Sequence, residues 1–284
     1  MKRRSVWIQI IALVITILVF VGYMAYSRIK TDDMGPAITI DGTELTLSVN
    51  DPQEAYLRGV SAYDDQDGDV SSQIVVESCY GITDDNLVTV TYAAFDRAGN
   101  VTKAKRLVLL TDYHAPVFTL AHSLTFPSSD NLDIMDYVGA TDLLDGDVVR
   151  RVRATLISNS GSLSDEGIHD VLLRVTNSIG DSAELILPVE IYAPEKYNAA
   201  LELDSYLLYI SQGTPFRADA HLKAFSFAGE SISFEAAPED LDVSVSGTVN
   251  IQVPGIYPVT YTAQYLRNNT TYKAYSKLFV IVDG

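Results

Sequence analysis

Two patterns of hydrophobic positions divide the chain. Residues 5–27 form an uncharged run rich in Ile, Leu, Val and Phe, which lies between Arg4 and Arg28. A helix rises 1.5 Å per residue, so such a run extends about 34 Å and matches a bilayer core of about 30 Å. After Gly35 and Pro36 the chain changes to short stretches in which apolar and polar residues alternate. This second pattern is typical of half-buried β-strands.

The apolar run predicts a single N-terminal transmembrane helix, with its short cytoplasmic tail, within residues 1–30. A cleaved signal peptide is the alternative, but its apolar region has about 7–15 residues and ends at a small-x-small site. The run here is longer, and the stretch from Gly22 to Ser27 is a poor cleavage site. Three basic residues, Lys2–Arg4, precede the run, so the positive-inside rule places the amino terminus in the cytoplasm. We therefore expect a single-pass protein of the cell membrane with an extracellular ectodomain.

An internal repeat of about 80 residues organises the ectodomain. Ala62–Val70 reads AYDDQDGDV, Ala140–Val148 reads ATDLLDGDV, and Ala224–Ile232 is a degraded third copy. A second marker, a turn followed by alternating apolar residues, follows each copy in the same order, and two markers with one period indicate tandem modules. Proline-bearing connectors separate them. The predicted modules are residues 36–112, 113–192 and 193–284.

The acidic loop resembles the immunoglobulin-like repeat of bacterial surface proteins, whose loop reads A-x-D-x-x-D-G-D-[IV]. The turn Asp96–Asn100, which reads DRAGN, supports the resemblance in the first module. The second module has Asn177–Asp181 there, and the third has lost the acidic loop. The resemblance implies an immunoglobulin-like fold for each repeat. With the alternating strands, the repeat and the apolar run, the predicted fold class is all-β: three tandem immunoglobulin-like β-sandwich modules after a single N-terminal transmembrane helix. It implies an envelope location far more than an activity.

The charge distribution excludes one class of partner. The chain has 37 Asp and Glu against 20 Lys and Arg, a formal net charge of −17, and every acidic residue lies after residue 30. Nucleic-acid binding depends on Lys and Arg that neutralise phosphates. The acidic ectodomain is therefore expected to repel nucleic acid.

The acidic loops are candidate calcium sites. Strand direction places each acidic loop, and the turn after a later strand of the same module, at the same end of a sandwich. Carboxylates on such loops suit Ca²⁺, which takes 6–8 oxygen ligands in flexible geometry. Plain turn chemistry is the alternative, because Asp bonds its own backbone and Gly adopts positive φ. The candidate ligands are Asp64, Asp67, Asp69, Asp96, Asp142, Asp145, Asp147 and Asn177.

No catalytic motif is present in the sequence. The four histidines lack zinc-ligand spacing, and neither a Gly-x-Ser-x-Gly elbow nor a phosphate-binding Gly loop occurs. An enzyme would need a site that these motifs do not reveal. The sequence therefore predicts a non-enzymatic, membrane-anchored bacterial surface protein whose modules form a stalk and present a binding or assembly surface. An extracytoplasmic subunit of a membrane or envelope complex is the alternative. The expected partner is an envelope protein, or a cell-wall or surface glycan.

The third module is the candidate recognition module. Its segment from Tyr265 to Tyr272 is a predicted hairpin tip with Arg267 between two tyrosines. Tyr and Arg are enriched at binding hot spots, so Tyr265, Arg267 and Tyr272 are the expected contacts. A capping repeat with a merely polar outer face is the alternative.

Overall fold

The computed structural model describes residues 2–30, 32–42, 44–128, 132–157 and 162–284. Within these residues the chain forms one α-helix, α1 (Lys2–Lys30), and then β-strands joined by turns and short 3₁₀ helices. The strands build three successive sandwiches, so the predicted all-β class with tandem modules after one N-terminal helix is confirmed. The chain divides into two compact units, one ending at Tyr113 and one beginning at His114.

The first sandwich packs a sheet in the order β1-β3-β4 against a sheet in the order β2-β7-β6-β5. Its strands are β1 (Ala37–Ile40), β2 (Leu45–Leu47), β3 (Val60–Asp64), β4 (Gly68–Asp69), β5 (Val75–Tyr80), β6 (Leu87–Phe95) and β7 (Val101–Leu110). The first two strands belong to different sheets: β1 pairs antiparallel with β3, and β2 pairs parallel with β7.

The second sandwich has the same topology, with sheets in the orders β8-β10-β11 and β9-β14-β13-β12. Its strands are β8 (Val117–Leu120), β9 (Thr125–Pro127), β10 (Val138–Asp142), β11 (Gly146–Asp147), β12 (Arg153–Leu156), β13 (Gly167–Thr176) and β14 (Ser182–Tyr192). Here β9 pairs parallel with β14, as β2 does with β7.

The third sandwich repeats this order as β15-β17-β18 and β16-β21-β20-β19. Its strands are β15 (Ala199–Leu203), β16 (Leu207–Ser211), β17 (Leu222–Phe227), β18 (Glu230–Ser233), β19 (Leu241–Ser246), β20 (Gly255–Arg267) and β21 (Thr270–Asp283). The hairpin of β17 and β18 occupies the place that the acidic loop has in the other two sandwiches, and Ala228 and Gly229 turn it with positive φ.

The alternation of side chains along the strands explains which residues form the cores of the sandwiches. Successive side chains of a strand point to opposite faces, so every second residue reaches the interior. In β6 the buried row includes Val90 and Tyr92, and in β20 it includes Val259 and Tyr261. The Tyr92 hydroxyl donates to the Tyr56 carbonyl at 2.7 Å, and the Tyr261 hydroxyl donates to the Ala218 carbonyl at 2.9 Å. Both bonds fix the 3₁₀ turn before the third strand of their sandwich. These buried rows are the alternating apolar residues of the second marker of the repeat.

The second and third sandwiches share one cluster of buried residues, which runs from Phe118 to Val280. Polar contacts join them as well. Glu190 of β14 accepts hydrogen bonds from the Tyr275 hydroxyl at 2.6 Å and from the Lys277 ammonium at 2.9 Å. The Lys277 amide donates to the Ser123 hydroxyl at 2.8 Å. The prediction of separately folding modules at 113–192 and 193–284 therefore remains open to experiment.

Candidate functional site

Three carboxylates converge at one end of the first sandwich. Asp64 ends β3, Asp96 follows β6, and Asp32 belongs to the segment that leads from α1 into β1. One carboxylate oxygen from each residue lies within 4.8 Å of the other two. Asp64 and Asp96 are buried, whereas Asp32 is partly exposed.

The loop that carries Asp64 is held by hydrogen bonds to its own backbone. Asp64 Oδ1 accepts from the amides of Gln66 and Asp67, both at 2.9 Å, and Gly68 completes the reversal at a φ of +79°. Such a bend needs positive φ, which glycine adopts without steric cost. The hydrogen bonds therefore fix the Asp64 carboxylate beside Asp96.

Asp96 is placed by the turn that follows it. Its Oδ1 accepts from the Asn100 amide at 2.8 Å and its Oδ2 accepts from Asn100 Nδ2 at 2.7 Å. Burial raises the pKa of Asp96, but the hydrogen bonds from Asn100 and from the backbone of Gly99 and Ala98 outweigh it and lower the pKa. The same Asn100 Nδ2 donates to the carbonyls of Asp32, at 2.9 Å, and Met34. One asparagine thus holds the entering segment against the acidic loop.

The three carboxylates lack a neutralising partner. Within the described residues no Lys, Arg or His forms an ion pair with Asp32, Asp64 or Asp96. Like charges this close repel one another, and a divalent cation would relieve the repulsion. Three carboxylates offer up to six oxygens, which is compatible with the coordination that Ca²⁺ requires.

The other two acidic residues predicted for this site have different partners. Asp67 accepts from the Arg97 amide at 2.7 Å and lies 3.6 Å from the Arg97 guanidinium. Asp69 accepts from the Ser71 amide at 2.9 Å, and the Ser71 hydrogen bonds lower its pKa. Asp69 thus bonds within its own turn, whereas Asp67 bonds to the turn that follows β6, and a role of either residue in Ca²⁺ binding stays a prediction.

The second sandwich has an aspartate–asparagine pair where the first has Asp64 and Asp96. Asp142 Oδ1 accepts from the amides of Leu144 and Asp145, and Asp142 Oδ2 accepts from Asn177 Nδ2 at 3.0 Å. The asparagine therefore donates a hydrogen bond at the position where the first sandwich has a second carboxylate. Asp147 accepts from the Val149 amide at 2.9 Å.

The Asp145 carboxylate has partners other than Asp142 and Asn177. It accepts from the Ser178 amide at 2.7 Å and pairs with Arg151. Burial raises the pKa of Asp145, but the hydrogen bonds from Ser178 and Arg151 outweigh burial and lower it. Of the four residues predicted here, the structure brings Asp142 and Asn177 together and gives Asp145 a separate ion pair.

Sequence reasoning missed Asp32 and Asn100. Strand direction could have found Asp32: β1 runs antiparallel to β3, with Ala37 opposite Tyr63, so residues before Ala37 reach the loop after Tyr63. Asn100 lay in the turn that supported the family resemblance, but its contact with the entering segment has no local sequence signal.

The predicted contacts of the third module surround one ring. Tyr265 and Tyr272 face each other across the hairpin of β20 and β21, and both pack on Phe227, with ring centroids 5.3 Å and 4.7 Å away. Arg267 is exposed, lies over the same ring, and pairs with Glu230 at 2.5 Å. The three side chains form one patch, and their contact with a partner remains a prediction.

Comparison with known proteins gives distant similarities. No family model matches the chain. An uncharacterized 81.3 kDa protein of Acholeplasma phage L2 is 21% identical over 197 residues, which cover 66% of this chain and 24% of that protein. The chain thus spans about a quarter of the length of this relative.

The similar solved structures include bacterial and cadherin chains. CBM51-2 and INT domains of Clostridium perfringens ZmpB are 19% identical, over 55% of this chain and 26% of theirs, with a TM-score of 0.22. Extracellular cadherin domains 1–5 of protocadherin gamma B2 are 12% identical, over 89% of this chain and 61% of theirs, with a TM-score of 0.21. Mouse cadherin-23 EC22-24 is 11% identical, over 88% and 99%, with a TM-score of 0.18. Similarities this low do not bear on function.

Proposed function

We propose that the chain is a single-pass membrane protein, of the bacterial immunoglobulin-like surface kind, whose sandwiches form a non-enzymatic extracellular stalk. The stalk presents a binding surface for an envelope protein or a surface glycan. The supporting observation is the segment Trp7–Tyr26 of α1, which has a mean hydropathy of 2.5 and no buried residue. A predominantly apolar helix of this length that packs against none of the described residues needs a bilayer to cover it.

The flanks of the helix support the orientation. Lys2–Arg4 precede it, and the acidic residues of the chain follow it. Cytoplasmic flanks are enriched in Lys and Arg, so the sandwiches belong outside the cell.

Membrane extraction and protease protection test this function. The full chain with a C-terminal epitope should remain in the membrane after carbonate washing, begin at Met1, and lose its epitope to protease added outside intact cells. As a matched control, Val14→Arg with Leu18→Arg should release the protein or block its insertion, because each central Arg costs about 2.5–3.5 kcal/mol. Soluble protein that begins near Ser27 would instead identify a cleaved leader and refute the anchor.

We propose in addition that the first sandwich binds Ca²⁺ through Asp32, Asp64 and Asp96. The convergence of their oxygens and the absence of an ion pair at them within the described residues support this proposal. A cation bound there would fix the segment between α1 and β1 to the acidic loop. The second sandwich needs no cation, since Asn177 bonds Asp142 directly.

A further inference from the structure

A cleft of about 810 Å³ lies between the second and third sandwiches, within the compact unit that begins at His114. The loop after β8, strand β9 and Tyr137 form one side. The edge strand β15 and part of β21 form the other. Small-molecule sites have volumes of about 300–1,000 Å³ and often lie where two folded bodies meet.

Aromatic rings line one end of the cleft. The His122 ring stacks between Phe126, with centroids 5.8 Å apart, and Tyr206, with centroids 5.6 Å apart. Tyr137 packs on Phe126 at 4.8 Å, and Tyr192 lines the cleft as well. Such side chains offer an apolar face together with a polar atom, a combination that suits ligands with both characters.

A buried hydroxyl group at the cleft lacks a partner. Ser276 of β21 lines the cleft and is 1% exposed, and its Oγ has no hydrogen-bond partner within the described residues. Buried polar groups are almost always hydrogen-bonded, so an orphan beside a cavity indicates a missing polar partner. On the β15 side, Glu202 lies 3.8 Å from Lys223, and both line the cleft with Asp204.

We propose that this cleft binds a neutral carbohydrate. Sugar rings present C–H faces to aromatic rings and hydroxyl groups to carboxylates, ammonium groups and serine, which are the groups found here. An anionic ligand would face Glu202 and Asp204, and Lys223 is the one Lys or Arg among the described residues that line the cleft. A lipid tail would offer no polar atom to the Ser276 hydroxyl or to the charged side chains of Glu202 and Lys223. The inference deepens the proposed function, on which it rests, by naming the glycan class and its site.

The test uses the full chain in phosphatidylcholine nanodiscs, which contain no sugar. An array of neutral and sialylated oligosaccharides is screened, and calorimetry measures affinity for the best neutral binder. Ser276→Ala should weaken binding about fivefold, because it removes one neutral hydrogen bond, and should not lower the melting temperature. Ala200→Trp, at an exposed position lining the cleft, should abolish binding. Ser244→Trp, at an exposed position of β19, is the matched control and should bind normally.

Two results would overturn the inference. The first is that no neutral oligosaccharide binds, or that the chain prefers peptides from an unbiased library. The second is that Ala200→Trp binds as the unsubstituted chain does, because the site would then lie elsewhere. If either result is obtained while the protein remains anchored in the membrane, the carbohydrate inference is wrong but the proposed surface function is not refuted. Loss of the anchor with sugar binding intact refutes that function alone.

Discussion

Residues 96 and 177 occupy the same position in the first two sandwiches, but one is an aspartate and the other an asparagine. Asn177 donates a hydrogen bond to Asp142, whereas Asp96 lies near the Asp64 carboxylate and cannot donate one when ionised. The lowered pKa of Asp96 keeps it ionised at neutral pH. A difference of one side-chain atom thus separates a self-satisfied turn from a candidate cation site.

The calcium proposal predicts a stability change confined to the first sandwich. Millimolar Ca²⁺ should raise its melting temperature by the equivalent of about 2.7 kcal/mol at a concentration 100 times Kd. Asp96→Asn should remove the response in differential scanning calorimetry. Asp145→Asn, the matched control in the second sandwich, should retain it. Identical melting curves with and without Ca²⁺ would return the loop to plain turn chemistry.

Glu190 connects the second and third sandwiches through charge. Burial raises the pKa of Glu190, but hydrogen bonds from Tyr275 and Lys277 and the positive charges of Lys277 and Lys196 outweigh burial and lower it. A carboxyl group with a lowered pKa in the folded state stabilises the fold above its unfolded pKa. That stabilisation is lost as the pH falls through the lower folded value.

Glu190→Gln should lower the free energy of unfolding at pH 7 by about 3 kcal/mol, because the buried Lys277 ammonium loses its counter-charge. The difference from the unsubstituted chain should shrink as the pH falls below the pKa of an unfolded glutamate, about 4.3, and through the lower folded value, where Glu190 itself becomes protonated. Denaturant unfolding at several pH values measures both effects. The control is Glu184→Gln in the exposed pair with Arg174, which should change stability by less than about 1 kcal/mol. Equal effects of the two variants would contradict this role of Glu190.

At the scale of elements, alternation predicted half-buried β-strands and the all-β class correctly. The second marker of the repeat lies on β6, β13 and β20. Each of these is an inner strand of its four-stranded sheet and pairs with the last strand of its sandwich. The two-residue strands β4 and β11 and the 3₁₀ turns were not predicted. The 3₁₀ turns before β3 and β17 are bonded by distant residues, as Tyr56 is by Tyr92, and a local pattern does not contain such a contact.

The bond from Tyr92 predicts a measurable cost. Tyr92→Phe removes the hydroxyl that donates to the Tyr56 carbonyl and accepts from Arg106 Nη2 at 2.9 Å. Loss of a bond to a charged donor should lower the free energy of unfolding by about 1.5–3 kcal/mol. Tyr63→Phe, at an exposed position of β3, is the control and should change it by less than about 0.5 kcal/mol. Equal melting of both variants in chemical denaturation would contradict the role given to this bond.

At the scale of the whole molecule, the chain divides into two compact units, and the second unit contains two of the three sandwiches. The sequence repeat identifies sandwiches but not which of them share a core, because the shared cluster joins residues far apart in the chain. The hairpin from Tyr265 to Tyr272 was predicted from the sequence, but the ring on which its side chains pack was not. Its packing on Phe227 depends on the fold of β17.

The two units predict an order of proteolysis. Cleavage should occur first near His114–Pro116, between the units, and later near Pro194, because the flanking sandwiches share buried residues. Mass spectrometry of a limited digest gives this order. Residues 114–284 should also unfold in one calorimetric transition. Early release of a folded fragment that begins near residue 195 would show that the third sandwich is independent.

The parallel strand pairs have a mechanical consequence. In each sandwich a strand near its beginning runs beside its last strand in the same direction: β2 with β7, β9 with β14, and β16 with β21. Tension applied between the two chain ends of a sandwich would shear these pairs, so that their hydrogen bonds bear the load together. The register joins three residue pairs in each of the first two sandwiches and five in the third. Under force, the first two sandwiches should therefore rupture before the third.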